Sequence, residues 1–332
     1  MRSNSPRLPY SWVPFRDTLK RVDAHTWTVG DWLLLTRHFD LPAPEYSWPD
    51  GQGSSGYFSL RCYPDTLPPH ALPAGKTVLM LEPRLFNQVE DHHTGGRWRI
   101  GDAYLSVCRA EDGPTHMESV LQELNKKNLS FQVPKVIWAA SHGGRRYTLT
   151  SMIRGRRRLP SVLWVRPLKC QWDRIVGQIA EAYIDLAKIT GKKICDLSGK
   201  PVSTFGLESF KPTKDGREPI IDPDSQLQNA KKARLNCSQL VLAHVLRPNA
   251  FVFNDADELI GIDSWCDAAF VPQDWVLTRM MIDSWRWADE GWTVPQAEYF
   301  IDILRRRMLA AGFRDCKKSW EAWDKGGQRS PY

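Results

Sequence analysis

Apolar and polar positions alternate in short blocks over residues 240–275, LVLAHVLRPNAFVFNDADELIGIDSWCDAAFVPQDW. The pattern predicts a strand at Leu240–Leu242, a loop from His244 to Asn249 stiffened by Pro248, and a strand at Ala250–Phe253. Asn254–Asp257 has turn chemistry, and Leu259–Ile262 returns as a third strand that delivers Asp263 at its end. A hairpin of this kind brings Asn249 and Asp263 to one edge. There an amide and a carboxylate can share a cation or a polar ligand.

Elsewhere the periodicity is plainer. Residues 97–109 alternate as a hairpin around Gly101-Asp102. A helix over 116–124 carries Met117, Val120, Leu121 and Leu124 on one face, and strands are expected at Val136–Ala139 and Arg146–Met152. Gln171–Ile189 has helical spacing, with Trp172, Ile175, Val176, Ile179, Ala182, Tyr183 and Leu186 in phase. Near the start, Thr18 or Asp23 is expected to cap short helices, and Trp32–Leu35 is an apolar run. Residues 42–75 read as a long loop holding one strand at 56–62, and DGQGSSG within it reads as a linker, lacking the Lys-Ser/Thr ending of a phosphate loop. Residues 190–235 are expected to be mostly loop. Two helices broken by Gly291 and Pro295 follow Trp275, and Trp285, Trp287 and Trp292 either fill the core or wall an aromatic pocket.

Composition narrows the class. A chain of 332 residues at 42% hydrophobic can bury a large core. No apolar run approaches the ~20 residues of a membrane helix, and the first residues lack the apolar centre of a secretory signal. The seven cysteines are scattered without paired spacing, so reduced thiols in a cytoplasmic protein are expected. The net charge of +7 comes from 45 basic against 38 acidic residues, which fits a solvated surface better than a nucleic-acid footprint. The basic run at Arg154–Arg158 reads as a solvated loop or as a clamp for an anion or RNA backbone, and Arg305–Arg307 as a solvated helix surface.

The order and spacing of these elements resemble the aminoglycoside phosphotransferase and choline kinase-like family, over roughly residues 85–312. The resemblance implies an α+β, two-lobed protein-kinase-like fold. It divides the chain into an N-terminal extension (1–84), a small β-rich lobe (85–150), a hinge (151–156) and a larger, mainly helical lobe (157–332). VPKVIW and LTSMIRG, ending at Gly155, are similar to the family's lead into the hinge. In the same alignment Asn249 and Asp263 fall on the two metal-binding positions, 14 residues apart, and Glu118 falls on the small-lobe helix Glu. The chain departs from the family where phosphoryl transfer is carried. Ser106 stands at the strand Lys that holds nucleotide phosphates, His244 stands at the catalytic Asp, and Ser264 replaces the usual Trp, with Trp265 one place later.

The resemblance therefore implies a degenerate, pseudokinase-like member of fungal type. Its expected role is in small-molecule binding or in a repurposed biosynthetic step of specialised metabolism. His244 and Asp263 would be its catalytic residues, because an imidazole can act as general acid or base near neutrality. The alternative for His244 is a side chain that merely fills a retired loop. A second reading is an ATP- and magnesium-dependent O-phosphotransferase, with Asn249 and Asp263 holding the metal, Ser106, Glu118 and Asn249 near the nucleotide, and Asp267 orienting the acceptor. A third is an RNA- or tRNA-linked protein, which rests on charge and aromatics alone. A small-molecule partner and no membrane are expected.

Overall fold

The computed structural model describes residues 19–30, 32–39, 46–51, 56–62, 86–92, 95–109, 117–157, 169–202, 206–213, 216–244, 250–265, 268–283 and 293–324. Its chain divides into two compact units, residues 1–113 with 135–152, and 114–134 with 153–332. The first is β-rich and the second holds all the described helices, so the α+β class is borne out.

The first unit is built from alternating strands. β1 (Leu19–Arg21), β2 (Thr26–Val29), β3 (Leu33–His38), β4 (Ser47–Pro49) and β5 (Tyr57–Cys62) form one antiparallel sheet in the order β1-β2-β3-β5-β4. β6 (Phe86–His92), β7 (Gly95–Ile100), β8 (Ala103–Arg109), β9 (Val136–His142) and β10 (Arg145–Ser151) form a second, ordered β6-β7-β8-β10-β9. Alternate residues of β2, β3 and β5 and of β7, β8 and β10 enter one shared core: Trp27, Val29, Leu33, Leu35, Phe58 and Leu60 meet Trp98, Ile100, Leu105, Val107, Tyr147 and Leu149. The Trp48 indole N–H donates to the Ile100 carbonyl at 2.7 Å, a buried bond between the sheets. Arg37 pairs with the buried carboxylate of Asp50 at 2.6 Å beside it.

Two expectations for the N-terminal stretch are corrected here. Asp23 does not cap a helix; its carboxylate accepts from the His25 N–H in the β1–β2 turn, and Thr18 lies outside the described residues. Trp32–Leu35 runs into a strand, and β4 as well as β5 falls inside the expected long loop. The cause is tertiary. Short strands such as LKR, TWTV and SWP carry little period of their own and are fixed by the apolar face they lay on the neighbouring sheet.

In the second unit α1 (Met117–Leu124) buries Val120, Leu121 and Leu124, the face expected from its spacing. The Asn125 amide closes its end by donating to Leu121 and Pro134 carbonyls. β11 (Arg156–Arg157) follows, so part of the basic run is a short strand rather than a loop. α2 (Lys169–Ala187) buries Ile175, Val176, Ile179 and Tyr183, as its period requires. After β12 (Thr190–Gly191) the expected loop is again partly structured. β13 (Ser209–Thr213) and β14 (Gly216–Ile220) pair as a hairpin with a two-residue connection, and α3 (Pro223–Lys232) starts where the Asp222 carboxylate accepts from Ser225 N–H.

β15 (Leu240–Ala243), β16 (Phe251–Phe253) and β17 (Leu259–Ile262) occupy the strands read from the sequence; β18 (Ala269–Pro272) is a further strand in the stretch expected as loop, and α4 (Gln273–Asp283), α5 (Val294–Ala310) and α6 (Lys317–Trp323) come after it. Pro295 sits in the first turn of α5, where its missing N–H costs nothing, and Thr293 forms a capping box with Gln296. Arg305 and Arg306 pair with Asp315 and Asp302 on the helix surface. Trp285, Trp287 and Trp292 lie outside the described residues. Among the described residues, no helix is long and apolar enough to cross a membrane.

The β7–β8 turn gives a direct test of the double-sheet core. Gly101 has φ +57°, and a Cβ there would lie 2.6 Å from the Pro49 carbonyl oxygen. Gly101→Ala should therefore lower stability by about 2 kcal/mol, measured by urea unfolding, whereas the same change at the open Gly143 should cost less.

Candidate functional site

β15 is buried along its whole length because it is the middle strand of the sheet β12-β15-β18. Its sequence, LVLA, is apolar without alternation, as a strand covered on both faces must be. Ladder bonds hold it on both sides: Val241 pairs with Thr190 of β12, and Leu242 with Phe270 of β18. His244 is the next residue, 5% exposed. Its backbone is anchored from α2, whose Tyr183 hydroxyl donates to the His244 carbonyl at 3.2 Å. Burial pushes the Tyr183 phenol well above its ordinary value, so the group is a neutral donor across the physiological range.

The hairpin of β16 and β17 sets the other half. Asn254 builds its turn: the side-chain oxygen accepts from Ala256 and Glu258 N–H groups, and the amide donates to the Glu258 carboxylate. Phe251 pairs with Ile262, and the ladder continues one step further through the Asp263 N–H to the Ala250 carbonyl at 2.9 Å. Asp263 is thus held by its backbone at the end of β17, and its residue is 4% exposed.

Trp265 links the two halves. Its indole N–H turns back to the Ile262 carbonyl at 2.8 Å, its ring lies parallel to Phe131 with centroids 6.2 Å apart, and the His244 ring approaches it at 5.4 Å. The residue is fully buried. The indole of Trp265, with Ser264 before it, thus lies inside the site as its floor. The ring stacking explains why Phe131 belongs to the site although no sequence motif marks it.

Gly261 is a second residue that sequence reading missed. The segment before Pro134 runs parallel to β17, with Gln132 N–H donating to Ile260 and Ile262 N–H donating to Gln132. A Cβ on Gly261 would stand 2.6 Å from the Gln132 carbonyl. A glycine inside a strand signals such close backbone approach, and this was the available clue. Gly155 has the same explanation: a Cβ there would meet the Phe253 carbonyl at 2.5 Å.

The structure brings His244 to the Trp265 indole, two residues after Asp263, in the second unit. Glu118 lies in the first turn of α1, also in the second unit, and Ser106 lies half-buried on β8 of the first. Asn249 and Asp267 fall outside the described residues. Among the described residues no group of three His, Cys, Asp or Glu could hold a metal ion. The donor chemistry of Asp263 fits magnesium, which takes one or two protein carboxylates and completes its shell with water and phosphate oxygens.

No family model matches the chain, and no curated protein does. Among solved structures, it is similar to an aminoglycoside phosphotransferase, APH(3'')-Id, from Streptomyces rimosus. That match has a TM-score of 0.45 and 13% identity, over 72% of this chain and 91% of that one. A GDP complex of a mutant aminoglycoside 2'-phosphotransferase-IIIa gives 0.41 at 15% identity, over 72% and 90%. A mutant APH(4)-Ia with AMP-PNP and hygromycin B gives 0.39 at 14%, over 74% and 94%. Scores this low at such identities do not place a chain in a family.

The Tyr183 bond is the simplest lever on the site. Tyr183→Phe should lower stability by about 1 kcal/mol, read from urea unfolding, because the buried His244 carbonyl loses its hydroxyl donor. An unchanged midpoint would show that this bond does not hold the end of β15.

Proposed function

We propose that this protein is a divergent phosphotransferase-fold protein of protein-kinase-like type, in which a small-molecule site centred on His244 and Asp263 no longer serves phosphoryl transfer. The observation that carries the reading is the fixed imidazole. His244 is anchored through its carbonyl by Tyr183 and lies against Trp265, at the position where the resembling family carries its catalytic Asp. An acidic residue, Asp263, follows the end of β17 two residues before that indole. An imidazole that lies against a buried indole at a strand end can move a proton on a bound substrate, with the indole supplying an apolar wall.

The substitutions support loss of the older chemistry. Ser106 cannot supply the charge that a lysine gives to nucleotide phosphates, and an imidazole at position 244 lacks the negative charge of the Asp that orients the acceptor hydroxyl in phosphoryl transfer. In this reading residues 85–150 correspond to the small lobe, 151–156 to the hinge and 157–332 to the large lobe. The ligand is a small molecule, and a biosynthetic step in fungal-type specialised metabolism is the setting we infer.

Retention of Asp263 favours one alternative, an ATP-dependent O-phosphotransferase. Asp263 with Asn249 would hold magnesium, which when bound would neutralise phosphate charge. Phosphoryl transfer rests largely on positioning and electrostatics, so such an enzyme would be weak rather than dead.

Thermal unfolding with Mg-ATP, Mg-GTP and magnesium alone, on the natural chain and on Asp263→Asn, separates the two. Loss of phosphoryl chemistry predicts no magnesium-dependent nucleotide shift that Asp263→Asn removes. A saturable rise of several degrees, lost in Asp263→Asn, would overturn that reading in favour of the kinase. In the same format, a small-molecule panel should yield stabilising compounds whose effect disappears in His244→Ala and Asp263→Ala, both of which should remain folded. Stabilisation that survives in both variants would move the site elsewhere.

A further inference from the structure

We propose that Ser130 is a phosphorylation site for a separate protein kinase that selects basic substrates, and that a phosphate there releases the segment holding Phe131 against Trp265. The inference starts from the connection between α1 and β9. Residues 125–131 form turns and bends, with no helix or strand among them. Ser130 is exposed near the end of this stretch, and Lys126 and Lys127 stand exposed before it in the run KKNLS. Two cations at a fixed distance before an exposed hydroxyl form a charge pattern that an acidic substrate groove reads. Lys126 pairs with Glu123 at the surface, where such a bond contributes little and yields to a new partner.

The serine is tethered where a change of charge is felt. Its N–H donates to one oxygen of the Asp185 carboxylate, on α2, at 3.1 Å, and the other oxygen takes the Lys188 ammonium at 2.7 Å. Burial alone raises the Asp185 carboxyl, but the Lys188 ammonium and Ser130, through its hydroxyl and N–H, hold it below the ordinary aspartate range. The carboxylate that faces Ser130 is therefore ionised at neutral pH. Phe131 is the next residue, and its ring lies parallel to Trp265. Gln132 follows, donating to Ile260 and accepting from Ile262 on β17. A surface hydroxyl is thus one residue away from the floor of the candidate site.

Phosphorylation reverses the sense of this tether. The protein kinase transfers the γ-phosphoryl group of ATP: the bond from Ser130 Oγ to phosphorus forms, the bond from phosphorus to the ADP oxygen breaks, and the hydroxyl proton passes to the kinase's base. Position 130 then carries a charge of about −1.5 to −2 beside the Asp185 carboxylate, and the two repel. Lys188 is mostly exposed on a flexible stem, so it turns from Asp185 to the phosphate and leaves the carboxylate without its ammonium. Glu181, which also acts on the Lys188 charge, adds to the repulsion. The consequence for a ligand at His244 rests on the site reading above; the release of the segment does not.

The full chain is incubated with a basophilic serine/threonine protein kinase and Mg-ATP, beside an arm without the kinase, and phosphate is located by mass spectrometry. Phosphate is expected at Ser130 only with the kinase, absent in Ser130→Ala, and slowed about tenfold or more when Lys126→Ala and Lys127→Ala are combined. Hydrogen exchange is then read at the Gln132 and Ile262 amides in full chain carrying phosphoserine at 130, incorporated during synthesis. Exchange about tenfold faster than in the unmodified chain is expected, with a smaller increase in an Asp185→Asn background, where the facing charge is removed. A chain left unmodified at Ser130 by the kinase overturns the modification site, and phosphate appearing there without the kinase overturns its assignment to a separate enzyme. A phosphoserine chain whose two amides exchange as before overturns the release. The two readings fail separately: faster exchange stands even if no compound binds at His244, whereas unchanged exchange sinks this proposal even if one does.

Discussion

The burial of the Trp265 indole is the constraint on which the rest of the site depends. The ring has one polar atom, and its partner is the Ile262 carbonyl, so the chain must fold back sharply after β17. That reversal leaves Asp263 and Ser264 within the turn, sets the ring parallel to Phe131, and gives the His244 side chain its neighbour. The Phe131 stack in turn draws the 130–134 segment along β17, which only a glycine at 261 permits. Each contact follows from the one before it.

The β-rich unit follows a different logic. Neither of its sheets has a helix to cover the face that enters the common core; each covers the other, and the Trp48–Ile100 bond joins them, while the Arg37–Asp50 pair ties β3 to the end of β4 within one sheet. Residues 19–62 are therefore a structural half of that unit rather than an appendage. Covering one face of β7–β10 with apolar side chains also decides what the other face can be. Because strand residues alternate, the polar set Arg97, Ser106, Thr148 and Arg146 is forced to a single side.

Much of this was legible in the sequence where a long or clean period carried it. The 171–189 helix, the 97–109 hairpin and the strands around Asp263 were found because their apolar positions repeat for several turns or because a turn dipeptide marks their middle. The strands β1, β2 and β4 were not, since three or four residues cannot establish a period and their identity comes from the sheet they complete. The β13–β14 hairpin was masked by its charge and prolines. Of the site, His244 and Asp263 were readable as chemical types at strand ends. Tyr183 and Phe131 were not, because each reaches the site from an element far away in sequence.

The most direct measurement of the central claim, a small-molecule site at His244, is the nuclear magnetic resonance spectrum of histidine-labelled protein. The His244 ring resonances are assigned by comparison with His244→Gln and followed while a stabilising compound is added. The account predicts that they move saturably, and that the movement is lost in Asp263→Asn. If the compound stabilises the protein while the His244 resonances stay in place and another histidine responds, the site lies elsewhere and His244 is a packed residue of the strand end.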